Sequence, residues 1–504
     1  MSSSAPRTRR TNTAALVFAC FGGLSFGYEV ALVGGILPVL TKQWAEKPYA
    51  IAFIVASAKI GAVFGCFLAS ALMRVYGRVT AAVACAFVCS TVGASASWAF
   101  ADELVGLGVG RAILGVCIGA LATIVPQYVA ECSRADVRGA IGACYELSLC
   151  VGMVVANAVT WWQPKREFGM ILLSPIVVGF WCAIAFSMQR ESPRWDYDRG
   201  RVDSARETLR VSGASIEEIE REFREYEAER PSVESAASSS DTQVRQERVS
   251  FATSFKEAFS GFREAYDGEE CYATRLVLAL AAFNQLCAST SVINYSSVIL
   301  RTVANKADVE SINSIDIFSV YASFVVWTKT IGVLMSIFLV DRVGRRPLLL
   351  FGSVGGGCGL LVACFGYAAS SVGWTLVGIC AFIFAFSASF ASVFWVIVGE
   401  FFSMRAKHHA VAAVTATFFA IGALADFIFP PMRSTMSFGV FIFFACVCFA
   451  SAAFVYAFIP ETCGKPLHEV HSLLKDRHLT TTGASGYRAL GRDGVKDTSS
   501  PPRR

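Results

Sequence analysis

Six ionisable side chains stand where the surrounding sequence is otherwise apolar: Glu29, Lys59, Arg111, Glu146, Lys329 and Asp426. A charge at the centre of a hydrocarbon layer costs about 2.5–3.5 kcal/mol on insertion scales, so each needs a partner or a task. A buried acid favours its neutral form and a neighbouring cation favours its charged form, so an acid under both influences can take up and release a proton. Two lone charges in lipid cost more than one pair, and we expect Glu146 and Lys329 to meet across a cavity. A ligand entering that cavity would break or bridge the contact. Lys59 has the alternative of snorkelling to a membrane surface. Asp426 stands before a Pro430-Pro431 break and has no assigned role. A second group of residues is uncharged. Asn284, Gln285, Thr290, Asn294 and Tyr295 crowd one apolar run, and Trp395 lies five residues before Glu400. Amides and hydroxyls can satisfy several hydroxyls of one ligand, while an indole faces its C–H surface. The plainer reading of Trp395 is helix packing.

The elements that must hold these residues are transmembrane helices. The chain has 504 residues, 54% hydrophobic and 16% charged, with a mean hydropathy of +0.52. Soluble domains are about 45–50% apolar and about 25% charged. That excludes a disordered chain, a coiled coil and a soluble nucleic-acid binder. The 17 cysteines are scattered through apolar runs without paired spacing, so they read as small packing residues. No C-x-x-C or H-x-x-x-H pattern suggests a metal, no cofactor is implied, and no nucleophile–base set suggests an enzyme. A spanning helix needs about 20 mostly apolar residues. Runs of that kind fall at about 14–38, 50–73, 79–100, 104–128, 139–162, 168–188, 275–299, 315–340, 347–369, 374–398, 410–431 and 437–459. They do not alternate as barrel strands would. The fold class is therefore all-α, twelve transmembrane helices in two six-helix bundles. Residues 1–13 form an N-terminal tail, 14–188 the first bundle, 189–273 a charged linker, 274–460 the second bundle and 461–504 a C-terminal tail. Residues 203–230 read as an amphipathic helix. The Ser-rich stretch 231–250 and the tail from about 472 read as disordered. Spacings such as Gly61-x-x-x-Gly65 and Gly115-x-x-x-Gly119 suit close helix contact in lipid.

Basic residues set the orientation. Arg7, Arg9 and Arg10 precede the first span, and Arg74 and Arg78 follow the second. Arg134 and Arg138, then Arg342, Arg345 and Arg346, then Arg405 and Lys407, follow the fourth, eighth and tenth. Both termini are expected in the cytoplasm, with the first span as the targeting signal and no cleavable leader. The same loops repeat. Gly77-Arg78 matches Gly344-Arg345 at an offset of 267, Glu131 and Arg138 match Glu400 and Lys407 at 269, and Glu191 matches Glu461 at 270. Two halves of one architecture place a binding site between them, near the bilayer midplane, as in a secondary transporter.

The repeated loops carry a family resemblance. Asp341-Arg342-Val343-Gly344-Arg345-Arg346, Glu191-Ser192-Pro193-Arg194-Trp195 and Pro460-Glu461-Thr462-Cys463-Gly464-Lys465 resemble signatures of the sugar porter family of the major facilitator superfamily. So does Pro126-x-Tyr128-x-x-Glu131 followed by Arg138-Gly139. The set covers about 14–470 in the family's order. Departures are Arg190 and Arg134 at positions where proline is usual, Arg74 in place of an acid, and Ala391-Ser392 in place of Gly-Pro. The resemblance implies the major facilitator fold and a cytoplasmic gate of Glu131, Arg138, Asp341, Arg345, Glu400 and Lys407, paired across the halves when the inside is closed. The alternative is that these charges only set topology. It also implies that Glu29, in Phe26-Gly27-Tyr28-Glu29, is the proton-coupling acid and Arg111 its partner, with a static pair as the alternative. Glu146 and Lys329 are charged as in plant polyol and monosaccharide proton symporters. The remaining substrate positions would be Asn284, Gln285, Thr290, Asn294, Tyr295 and Trp395, with Phe418 and Phe419 replacing a polar pair.

The expected function is proton-coupled symport of a polyol or monosaccharide by alternating access, in a monomer at the plasma membrane. Its partners would be the solute, protons and the lipid bilayer, with no nucleic acid. Facilitated diffusion, transport of another small organic solute and a non-transporting solute sensor are the alternatives. The short polar stretch after Pro460 disfavours the sensor.

Overall fold

The computed structural model describes residues 11–44, 47–133, 138–162, 168–211, 215–229, 271–306, 314–402 and 404–463, with Val470 and Leu474. Regular structure among them is helical throughout. The first half consists of α1 (Thr11–Gln43), α2 (Pro48–Tyr76), α3, α4 (Leu104–Cys132), α5 (Arg138–Trp162) and α6 (Phe168–Ser187). Helix α3 runs Arg78–Ala84, widens to a π turn over Cys85–Cys89 and continues Ser90–Ala99. Three short helices follow: α7 (Pro193–Asp198), α8 (Val202–Val211) and α9 (Ile216–Glu229). The second half consists of α10 (Cys271–Leu286), α11 (Ser289–Lys306), α12 (Ser314–Val343), α13 (Arg345–Ala368), α14, α15 (Met404–Met436) and α16 (Gly439–Phe458). Helix α14 runs Val372–Phe386, opens a π turn at Ser387–Ala391 and ends as Ser392–Phe401.

Twelve helical stretches are long and apolar enough to cross a membrane, and each overlaps one span read from the sequence. Several helices, such as Thr11–Gln43, Pro48–Tyr76 and Met404–Met436, extend past the apolar runs, whereas Phe168–Ser187 and Gly439–Phe458 do not. The seventh span is the one that differs in kind. It breaks into α10 and α11 at Ala288, whose φ of 58° is left-handed. The break turns the backbone beside the amide-rich segment. The break expected at Pro430-Pro431 is not seen: α15 passes through both prolines to Met436.

An even number of spans returns the chain to its starting side, so residues 11 and 463 share one end of the bundle. We call it the termini end and its opposite the far end. Within the first half α2 packs on α4 and α1 on α5; within the second α13 packs on α14 and α16. The α2–α4 contact uses the glycine spacings noted above. A side chain at Gly61 or Gly65 would strike the carbonyls of Ala112 or Val116, and one at Gly115 or Gly119 those of Ala58 or Ala62. The halves meet along α2 with α15 and α5 with α12, and at the far end α1 lies against α11. One continuous apolar core runs through both halves. The amphipathic segment folds as α8 and α9, whose Leu209, Ile219 and Phe223 pack together beside Tyr197 and Tyr226. Residues 231–250 and the tail from 475 lie outside the described residues.

Candidate functional site

At the termini end the sequence repeat becomes two copies of one charged cluster. In the first half Glu191 accepts hydrogen bonds from the backbone N–H groups of Arg78 (2.8 Å), Val79 (3.1 Å) and Ser192 (3.0 Å). It thereby satisfies the otherwise unpaired first amides of α3. The Arg78 guanidinium pairs with Glu131 at 2.8 Å, and the Ser192 hydroxyl donates to the same carboxylate. In the second half Glu461 accepts from the amides of Arg345 (3.0 Å), Arg346 (3.0 Å), Thr462 (3.0 Å) and Cys463 (2.9 Å). Arg345 pairs with Glu400 at 2.9 Å, and the Thr462 hydroxyl donates to Glu400 at 2.6 Å. Gly77 and Gly344 make the turn into each cluster with φ of 93° and 97°. Burial raises the Glu191 carboxyl above its ordinary range, and the amides and Arg78 pull against that shift. These pairs join residues of the same half, whereas the expectation was pairing across the halves. The side chains of Arg138, Asp341 and Lys407 lie outside the described residues.

Between the halves lies a cavity of about 920 Å³, counting the part open to solvent. Its wall includes Arg111 and Glu146 from the first half and Asn284, Gln285, Thr290, Asn294, Lys329 and Trp395 from the second. Eight of the ten residues assigned to proton coupling and substrate therefore share one space. Its aromatic side is formed by Trp395 and Phe418, with ring centroids 5.4 Å apart, and by Phe419 facing Phe26 of the other half at 5.8 Å. A hydrogen-bonded chain crosses the polar side. Lys59 Nζ donates to Gln285 Oε1 (3.4 Å), Gln285 Nε2 to Asn284 Oδ1 (3.3 Å), and Asn284 Nδ2 to the Phe390 carbonyl (3.5 Å). Phe390 sits in the π turn of α14.

Two of the assigned residues stand apart from the wall. Tyr295 is buried with its ring on Phe429, centroids 5.3 Å apart. Glu29 is buried behind the wall, 2% exposed, within the electrostatic reach of Arg111. The expected contacts are looser than the sequence suggested. Among the described residues no ion pair within 4.0 Å joins Glu29 to Arg111 or Glu146 to Lys329. Arg111 instead donates from Nε to the Ile54 carbonyl at 3.2 Å, and its Nη1 has no partner. Glu146 lies beside Lys329 and Trp395 with Oε2 unpartnered. The ion pair that does form is Lys59 Nζ with Asp426 Oδ2, at 2.9 Å.

The sequence profile described as "Sugar (and other) transporter" matches residues 15–474. The chain belongs to the sugar porter family of the major facilitator superfamily. Among curated relatives of this sugar porter, "Probable metabolite transport protein CsbC" of Bacillus subtilis is 26% identical over 473 residues, covering 91% of this chain and 94% of the relative. "Probable polyol transporter 4" of Arabidopsis thaliana is 26% identical over 488 residues, covering 93% and 86%. A solved structure of the proton:xylose symporter XylE of E. coli, bound to 6-bromo-6-deoxy-D-glucose, superposes with a TM-score of 0.73 at 20% identity, covering 92% of this chain and 98% of that one. At that identity the superposition speaks for the fold. The chain is thus a multi-pass membrane transporter and not an enzyme.

Sequence reasoning left Lys59 and Asp426 without a role in this sugar porter, although both were visible as charges in apolar runs. The snorkelling alternative for Lys59 fails on depth. Lys59 is the twelfth residue of α2 and Asp426 stands ten before the end of α15. At 1.5 Å of rise per residue each lies about 15 Å inside the far end. No local pattern links them, because they belong to different halves and do not correspond in the repeat.

Proposed function

We propose that the chain imports a polyol or monosaccharide by alternating access, driven by co-transport of a proton. The observation that carries this reading is the cavity between the halves, whose amides, charges and indole face one space. Asn284, Gln285, Thr290, Asn294, Glu146 and Lys329 present donors and acceptors to a polyhydroxylated solute, and Trp395 presents a flat apolar surface to its C–H face. Tyr295 supports α11 from behind. A relative named for polyol transport and a fold neighbour named for proton:xylose symport support the same class. Glu29 carries the proton, and Arg111, whose Nη1 is unpaired, senses its charge. Glu131, Arg138, Asp341, Arg345, Glu400 and Lys407 form the gate at the termini end, which faces the cytoplasm of a plasma membrane. The in-half pairs of Arg78 and Arg345 would exchange for cross-half pairs on closure. The protein acts as a monomer.

A uniporter is the second reading, favoured by the position of Glu29 behind the cavity wall without an ion pair to Arg111. The test is uptake by purified protein in liposomes, with hexoses, pentoses, linear polyols and inositols offered with and without an inward proton gradient. Symport predicts accumulation of one class that collapses with a protonophore, and Glu29→Gln should abolish accumulation while leaving equilibration. Gradient-independent equilibration by the unaltered protein would establish the uniporter. No flux of any sugar or polyol would overturn the substrate class.

A further inference from the structure

Lys59 and Asp426 join opposite halves of the molecule at 2.9 Å, and both line the cavity. The surroundings of the pair are built for it. Lys59 also donates to the Gly422 carbonyl and to Gln285 Oε1, each at 3.4 Å. A Cβ at Gly422 would strike Gln285 Oε1 and come within 3.1 Å of Lys59 Nζ, so a side chain there would push both side-chain ends aside. The other oxygen of Asp426 accepts a hydrogen bond of 2.5 Å from the hydroxyl of Ser291, in the first turn of α11. Asp426 is 1% exposed and Ser291 also 1%. One carboxylate therefore ties α2, α15 and α11 together.

Helix α11 is also the partition between two spaces. Ile293 and Asn294 line the central cavity on one side. On the other they line a smaller space of about 500 Å³ between α1, α5, α11 and α12, where Gly34 and Asn157 stand. The α10–α11 break at Ala288 leaves α11 joined to its neighbour by a turn, so it can tilt without bending a continuous helix. Tilting it away from α1 would join the two spaces and open the cavity toward the far end. The Ser291–Asp426 bond opposes that motion directly, and the Lys59–Asp426 pair opposes it by fixing the carboxylate that accepts the bond.

We propose that Lys59 and Asp426 are positioning residues of the transport cycle: their ion pair holds α11 closed at the far end and fixes the Gln285 amide that meets the solute. The Gln285 half of this statement rests on the proposed function; the α11 half does not. Separation of a buried ion pair is costly unless new partners replace it. A solute hydroxyl that takes over Gln285 Oε1 removes one partner of Lys59 and so couples occupancy to the latch.

The test is hydrogen exchange by mass spectrometry on purified full-length protein without solute, comparing peptides of α11 with peptides of α13. Lys59→Met and Asp426→Asn should speed exchange in α11 by about tenfold and leave α13 unchanged. The swap Lys59→Asp with Asp426→Lys should return α11 toward the unaltered rate. Ser291→Ala keeps the ion pair and should speed α11 by about threefold. Unchanged α11 exchange, equal loosening of α13, or a swap no better than the single changes overturns the latch. If the single changes do not fold, Ser291→Ala decides alone, with unchanged α11 exchange counting against it. Solute affinity is then read separately: Lys59→Met should raise the KM for whichever solute the unaltered protein carries, and an unchanged KM overturns the positioning of Gln285. Because exchange is read without solute, a wrong substrate class leaves the latch result intact.

Discussion

A carboxylate and an ammonium on the wall of one cavity lower each other's cost even when they do not touch. Glu146 and Lys329 are in that position: both line the central space, and Glu146 has an unpartnered oxygen turned away from water. Removing one charge leaves the other buried without its counter-ion, which for a contacting pair costs about 3–5 kcal/mol and for this open arrangement less. Lys329→Asn alone should therefore lower uptake by about tenfold or more, and Glu146→Gln added to it should recover most of the loss. Uptake normalised to the amount of protein in the membrane decides the matter; a double variant as inactive as the single one would show that the charges act separately. At this scale the sequence was informative about identity and poor about pairing. Every buried charge of the cavity could be picked out, since a charge in an apolar run is conspicuous. Which charges meet is set by helix rotation and by which half faces which, and neither leaves a local trace. Lys59 found Asp426 rather than a membrane surface, and Arg111 found the Ile54 carbonyl rather than Glu29.

Helices were legible because lipid leaves the backbone few alternatives, so long apolar runs mark every span. Their interruptions were not, because a break within apolar sequence carries no composition signal. The π turns at Cys85–Cys89 and Ser387–Ala391 and the left-handed Ala288 are of this kind. The glycines at the helix starts are a better case, since their role follows from the repeat and their geometry explains it. Gly77 has φ 93° and ψ 174°, and Gly344 has φ 97° and ψ 163°. This region is essentially closed to residues with a side chain, at a cost of about 1–3 kcal/mol. A side chain there would also meet the carboxylate of Glu191 or Glu461, the group that caps the helix beginning at the next residue. Gly77→Ala and Gly344→Ala should each lower the thermal stability of the purified protein by an amount corresponding to about 1–3 kcal/mol or more. Thermal melts in detergent test this. Equal losses at the two positions would match the equal geometry of the two clusters, and an unchanged melt at either would mean that a side chain is accommodated in that turn at no cost.

The whole molecule is two copies of one construction placed face to face. Each half holds its own capped glycine turn, its own Arg–Glu pair and its own hydroxyl donor to that pair, so its termini end is complete without the other. What crosses between the halves is non-covalent: α2 with α15, α5 with α12, α1 with α11, the Phe26–Phe419 contact and the Lys59–Asp426 pair. This follows from the duplication read in the loop offsets, which fixed the architecture at a scale where individual contacts could not be seen. We propose that the charged connection between the halves serves only to join them. Helices α8 and α9 bury Leu209, Ile219 and Phe223 against each other and against Tyr197 and Tyr226, which follow the first half in sequence. A cut beyond them, within residues 231–250, should leave both halves with all the contacts described here. Co-expressed as two chains divided there, the halves should co-purify and retain uptake within about threefold of the intact protein. Each Arg–Glu pair lies wholly within one chain and should withstand the cut, whereas Lys59→Met in the first chain removes an interaction between the chains and should weaken co-purification more than Gly77→Ala does. If both chains reach the membrane and neither co-purification nor uptake is seen, the connection must do more than join the two halves.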